Sequence, residues 1–156
     1  LNKSEFLSIF GNVFEKTESV ALKVFELKPF KDSDDIVSKM LKIYEEYDRD
    51  KILQILNSHP ELAIEKKLTN ESKLEQTSAN LNECSEEEFE EFKKLNLEYK
   101  TKFGFPFIIA VKGKNKNEIL VNFRERIQND LNKEFLEAKN QVKKIASLRL
   151  KDILSF

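Results

Sequence analysis

Three parts of the sequence hold side chains suited to moving a proton or gripping a charged ligand. His59 is the only histidine, and it stands directly before Pro60. A residue before proline is pushed out of helical geometry, so His59 is expected in extended backbone at a helix end, a corner that can aim an imidazole into a cleft. A surface histidine with no task would fit the same spacing. Ser72, Glu75 and Gln76 stand at i, i+3 and i+4, so a helix would bring a hydroxyl, a carboxylate and an amide to one face. Ser72-Lys73-Leu74-Glu75 also has the form of a capping box, whose only task would be to start that helix. Arg149 falls where the apolar row Phe135, Ala138, Val142 and Ile145 would next place a hydrocarbon. A guanidinium there snorkels, pairs with a buried acid, or binds an anionic or carbonyl-rich ligand.

The elements that must position these groups are helical. Three Gly and three Pro are too few for a sandwich with many tight turns. Ser85-Glu86-Glu87-Glu88 forms a capping box, and Phe89, Phe92, Asn96, Tyr99 and Phe103 follow at helical steps. The acidic run Glu86 to Glu91 suits the positive end of that helix. Asn115-Lys116-Asn117-Glu118 opens another, with Ile119, Leu120, Phe123 and Ile127 as its buried stripe, and Lys112 to Lys116 is read as the solvated loop before it. Asn132 is read as the cap of a third. Shorter helical patterns run from Phe6 to Phe14, Val20 to Leu27, Ile36 to Tyr47 and Ile52 to Leu56, with Asp32 or Ser33 and Asp48 or Asp50 as caps. Phe105-Pro106-Phe107-Ile108-Ile109-Ala110-Val111 is short and apolar enough for a strand, yet nothing of similar quality exists to pair with it. It is expected as a buried extended segment whose backbone groups need other partners. The expected fold is therefore all-α, a single-domain multi-helix bundle over residues 1–156 with one buried extended segment near 105–111.

Composition narrows the function classes. At 156 residues one core is the default. Lys and Arg number 27 against 28 Asp and Glu, so no long-range field favours nucleic acid or an anionic membrane. The single Cys84 cannot close an internal disulfide, and no Cys/His spacing suggests structural zinc. No apolar run approaches the roughly 18–20 residues that cross a bilayer, and the first residues lack a basic start followed by a long apolar core. The expected setting is cytoplasmic. No Gly-rich phosphate loop, nucleophile–histidine context or metal-ligand spacing is present. What remains is one imidazole, a few carboxylates and an arginine, an inventory suited to proton transfer and charge placement without a cofactor.

The same residues carry a family resemblance. His59-Pro60-Glu61-Leu62-Ala63, Leu68-Thr69 leading to Ser72 and Glu75-Gln76, Leu95-Asn96 and Tyr99, Phe103-Gly104-Phe105-Pro106-Phe107-Ile108, and Ser147-Leu148-Arg149-Leu150 occur in one order. With Phe14-Glu15 and Pro29-Phe30 upstream, this ordered set resembles the OHCU decarboxylases, which act on 2-oxo-4-hydroxy-4-carboxy-5-ureidoimidazoline. The resemblance implies cofactor-independent decarboxylation to (S)-allantoin during uric acid breakdown, in a homodimer. It implies His59 as acid/base and Glu75 as its acidic partner. Ser72, Gln76 and Arg149 would bind substrate, while Pro60 and the backbone of Phe107, Ile108 and Ile109 complete the pocket. Ile64 and Glu65 replace a Gly and a basic residue common in the family, and Asn80 stands where Gly is frequent, changes that bear on loop shape. Two other readings of the residues stay open: a non-catalytic helical interaction module, and a related enzyme acting on another ureide ring.

Overall fold

Helix starts are written into the chain as side-chain acceptors for the orphan N–H groups of a first turn. In the computed structural model, which describes residues 1–63 and 69–154, Ser85 and Glu88 close a reciprocal capping box, as do Asn115 and Glu118. Asp32 caps a helix by accepting from the Asp35 N–H, and Asp48 accepts from the Lys51 N–H. The resulting helices are α1 (Lys3–Phe10), α2 (Ser19–Phe25), α3 (Ser33–Glu46), α4 (Arg49–Ser58), α5 (Asn70–Ser78), α6 (Glu86–Phe103), α7 (Lys116–Arg126) and α8 (Leu131–Leu154), with a short 3-10 turn at Leu81–Glu83. Among the described residues there is no strand, and the all-α expectation holds. No helix among them is long and apolar enough to cross a membrane.

Two starts and one end differ from expectation. Asp130, not Asn132, caps α8: its Oδ1 accepts from the Lys133 N–H at 2.8 Å, two residues before the asparagine. Thr69, not Ser72, caps α5, accepting from the Ser72 N–H, so Ser72 lies inside the first turn and is buried. The first helix ends at Phe10, with the Gly11 N–H bonded to the Leu7 carbonyl, and does not reach Phe14. Ile64, Glu65 and Leu68 lie outside the described residues.

The described residues gather into two compact units, Leu1–Ser58 with Val142–Phe156, and His59–Gln141. In the first, Phe6 packs on Phe10 and Phe25, and Phe14 stacks on Tyr44 at 4.8 Å. In the second, Tyr99, Phe103, Phe105, Phe107 and Phe123 make a continuous aromatic cluster, with Phe107 and Phe123 stacked at 3.9 Å. Phe is the right residue for this interior, because it fills volume without asking for a hydrogen bond.

Candidate active site

The α4 helix stops at Ser58, and His59 follows outside it, as the proline at position 60 requires. The imidazole is buried: His59 is 8% exposed, and its Nε2 is shut off from bulk solvent. The residues after it belong to no helix, so their backbone groups need side-chain partners. Gln76 supplies two. Its Nε2 donates to the Glu61 carbonyl at 3.3 Å, and its Oε1 accepts from the Ala63 N–H at 3.1 Å. Asn96 on α6 supplies the third, donating from Nδ2 to the Leu62 carbonyl at 3.0 Å. Ala63 is held at a φ of 54°, a left-handed conformation that a non-glycine residue keeps only where its surroundings impose it.

Because Thr69 takes the cap, α5 is free to present a polar face farther along. Ser72 and Gln76 are buried on it, and Glu75 beside them is partly exposed. The capping-box reading of Ser72 and Glu75 therefore gives way to the shared face. Gln76 turns out to be a structural clamp on the loop carrying His59, whatever else its amide contacts. Asn80 closes this region in a left-handed conformation, φ 60°. Asparagine tolerates that region better than other residues with a side chain, so the turn survives without glycine.

The Phe105–Val111 segment is extended and buried throughout. Gly104 ends α6 at φ 82°, which a side chain would strain, and sends the chain into it. The backbone partners foreseen for this run are side chains. The Arg126 Nη1 donates to the Ile108 carbonyl at 2.6 Å, the Ala110 N–H donates to the Gln141 Oε1 at 2.9 Å, and the Lys114 ammonium reaches the Ala110 carbonyl at 3.1 Å. Arg126 also lies over the Phe107 ring, 4.4 Å from its centre, and pairs through Nε with a fully buried Glu134 at 2.9 Å. The Tyr99 hydroxyl donates to Glu134 at 2.6 Å and the Asn129 amide at 3.1 Å, so this buried carboxylate accepts from three side chains. Burial pushes the Tyr99 phenol far above its ordinary value, which keeps it a donor.

Arg126 and Glu134 were not among the residues singled out from sequence, although a signal existed. Arg126 is seven residues beyond Ile119 on the apolar stripe of α7, the same break in pattern that Arg149 makes in its own row. Arg149 itself belongs to the other unit. There its Nη1 donates to the Asn12 carbonyl at 2.8 Å and lies 3.5 Å from the Oε1 of Glu15, which is 0% exposed. Of the three tasks open to this arginine, pairing with a buried acid is present. The Phe14-Glu15 pair noted upstream thus has a physical counterpart, since Glu15 helps to fix the guanidinium.

One unit therefore holds His59, Pro60, Ser72, Glu75, Gln76 and Phe107 to Ile109, and Arg149 stands in the second. An enclosed imidazole on a braced loop, tied to a helix face carrying a hydroxyl and a carboxylate, is the equipment of an acid/base enzyme. The comparisons give the family. The family model of the OHCU decarboxylases matches residues 1–151. The chain is 36% identical to the 2-oxo-4-hydroxy-4-carboxy-5-ureidoimidazoline decarboxylase of Haloferax volcanii, covering 99% of this chain and 92% of that protein. It is 39% identical to the uric acid degradation bifunctional protein of Bacillus sp. strain TB-90, covering 98% of this chain but spanning only 30% of that longer protein. Among solved structures it is similar to an (S)-allantoin synthase, with a TM-score of 0.77 and 27% identity over 98% of this chain and 51% of that one. A crystal structure of an OHCU decarboxylase in the presence of (S)-allantoin shares the fold, at a TM-score of 0.77 and 24% identity over 99% of this chain and all of that one. The chain belongs to the OHCU decarboxylase family, whose members are carboxy-lyases.

Proposed function

We propose that this chain, acting over residues 1–156 as one catalytic domain, decarboxylates 2-oxo-4-hydroxy-4-carboxy-5-ureidoimidazoline to (S)-allantoin in uric acid degradation, without a cofactor. The observation that carries the reading is that the chain's only histidine is buried on a loop clamped to the helix bearing Ser72, Glu75 and Gln76. Breaking the bond between the ring carbon and the carboxylate releases carbon dioxide and leaves an electron pair on that carbon. The adjacent carbon–nitrogen double bond of the substrate accepts the pair, so the substrate supplies its own electron sink. The ring nitrogen that receives the pair takes up a proton from water, the hydroxyl proton leaves as the carbonyl forms, and a proton is delivered to the neighbouring ring carbon from one face, so that one proton is consumed overall.

His59 handles these protons as acid/base, with Glu75 orienting the imidazole and stabilising its charged form. Ser72, Gln76, Pro60 and the backbone of Phe107, Ile108 and Ile109 hold the ring and its ureido arm. Arg149 binds the substrate's anionic or carbonyl oxygens, and its bond to Asn12 and proximity to Glu15 hold it ready. Orientation is the useful contribution, because clamping the carboxylate equally before and during bond breaking would not speed the chemistry. The working form is a homodimer in the cytoplasm. The test is to supply freshly generated substrate and resolve the product by chiral chromatography. Enantiopure (S)-allantoin forming faster than the spontaneous racemic background supports the reading, and a racemic product at the background rate defeats it.

A further inference from the structure

We infer that Asn96, a residue of α6 outside the set proposed to touch substrate, is a positioning residue that fixes the orientation of the loop carrying His59. The inference rests on His59 being the acid/base, and it deepens that reading. Asn96 lies on the buried face of α6 with Phe92, Leu95, Tyr99 and Phe103, and is 3% exposed. An asparagine is costly at such a position, and more so here, since its Oδ1 is buried with no hydrogen-bond partner among the described residues. Packing alone would favour a leucine. What the amide provides is its Nδ2 donor to the Leu62 carbonyl, 34 residues away in sequence and three residues beyond the imidazole.

Geometry shows why one more bond matters. The two bonds from Gln76 to Glu61 and Ala63 come from a single side chain, so together they act as a hinge on α5. Residues 59 to 63 could still rotate about that hinge. The bond from Asn96 comes from a different helix and lands between the two others, which removes the rotation. Both braces are neutral amides, so they set where the imidazole sits without adding a charge that would set its protonation. Misplacement by about 1 Å at a reacting group can cost on the order of 100-fold in rate, so the brace should be visible in turnover.

Since His59 is the only histidine, an untagged protein gives a single imidazole signal in nuclear magnetic resonance. The test compares wild type with Asn96→Leu, which fits the apolar face and removes the orphaned oxygen, and with Asn96→Ala, which removes the donor without adding a charge. Expected for both are a native circular dichroism spectrum, displaced imidazole ¹⁵N resonances, altered ring-proton contacts, and a kcat lowered roughly 10–100-fold with KM changed less than about threefold. Unchanged imidazole signals in a folded variant overturn the inference, even if kcat falls, because Asn96 would then act only on stability. Should neither variant fold, the wild type decides: slow exchange of the Asn96 side-chain amide protons and their contacts with Leu62 support the brace, and rapid exchange overturns it. A wild type that turns over no substrate would sink the proposed function while leaving the imidazole signals to judge the brace.

Discussion

The loop carrying His59 and the Phe105–Val111 segment pose the same problem, buried backbone outside any helix, and solve it with opposite chemistry. Neutral amides of Gln76 and Asn96 hold the first. A guanidinium held by a buried carboxylate, together with the Gln141 amide and the Lys114 ammonium, holds the second. The difference follows from what each region carries. Phe105 to Val111 has no titrating side chain, so a charge nearby disturbs nothing, and the strong directional bond of Arg126 to the Ile108 carbonyl is tolerable there. Beside His59 a fixed cation would oppose protonation of the imidazole and a fixed anion would favour it. Amides add neither charge.

The contrast can be broken most severely at the charged brace. Arg126→Met leaves Glu134 buried without its cation and should cost about 3–5 kcal/mol in denaturant unfolding, while also replacing Glu134 by Leu should recover much of that loss. Recovery of stability without recovery of kcat would show that Arg126 shapes the wall formed by Phe107 to Ile109 as well as the fold. Tyr99→Phe removes one hydroxyl bond to the same carboxylate, with an expected loss of about 1.5–3 kcal/mol by the same measurement. On the neutral side, the proposed role of Glu75 in orienting His59 predicts that Glu75→Gln lowers kcat about 10–100-fold with little change in melting temperature.

The smallest effect belongs to a surface pair outside both braces. The Ser85 N–H and the Lys116 ammonium hold the Glu88 carboxyl below its ordinary value of 4.5. A carboxyl lowered in the folded state stabilises fully above its unfolded value, and the contribution is lost as pH falls through the folded one. Glu88→Gln should therefore lower the melting temperature slightly near pH 7, where the contribution is complete, and converge on wild type toward about pH 3, which flattens the acid limb of melting temperature against pH.

Local chemistry made much of this legible. Ser85 with Glu88 and Asn115 with Glu118 declare helix starts because both halves of the motif lie within four residues. The row Phe135, Ala138, Val142, Ile145 and Arg149 reads directly as the buried stripe it becomes. Competing short-range acceptors were harder: Asp130 and Asn132 can each cap, and only the path of the chain selects the aspartate. The amide braces were not legible, since Asn96 and Leu62 meet across 34 residues and nothing in their spacing announces it. Arg126 was legible in principle, as a charged residue interrupting the α7 stripe. Its importance became clear only with Glu134 and Ile108 beside it.

The central claim is that the imidazole on the amide-held loop moves the protons of the decarboxylation. It is tested most directly by following the optical activity of the product from freshly generated substrate with wild type and His59→Asn side by side. The account predicts that the variant keeps its fold and loses roughly 10²–10⁴ in turnover, so that its product falls to the racemic background. Wild-type turnover of enantiopure product by the folded His59→Asn protein would contradict it.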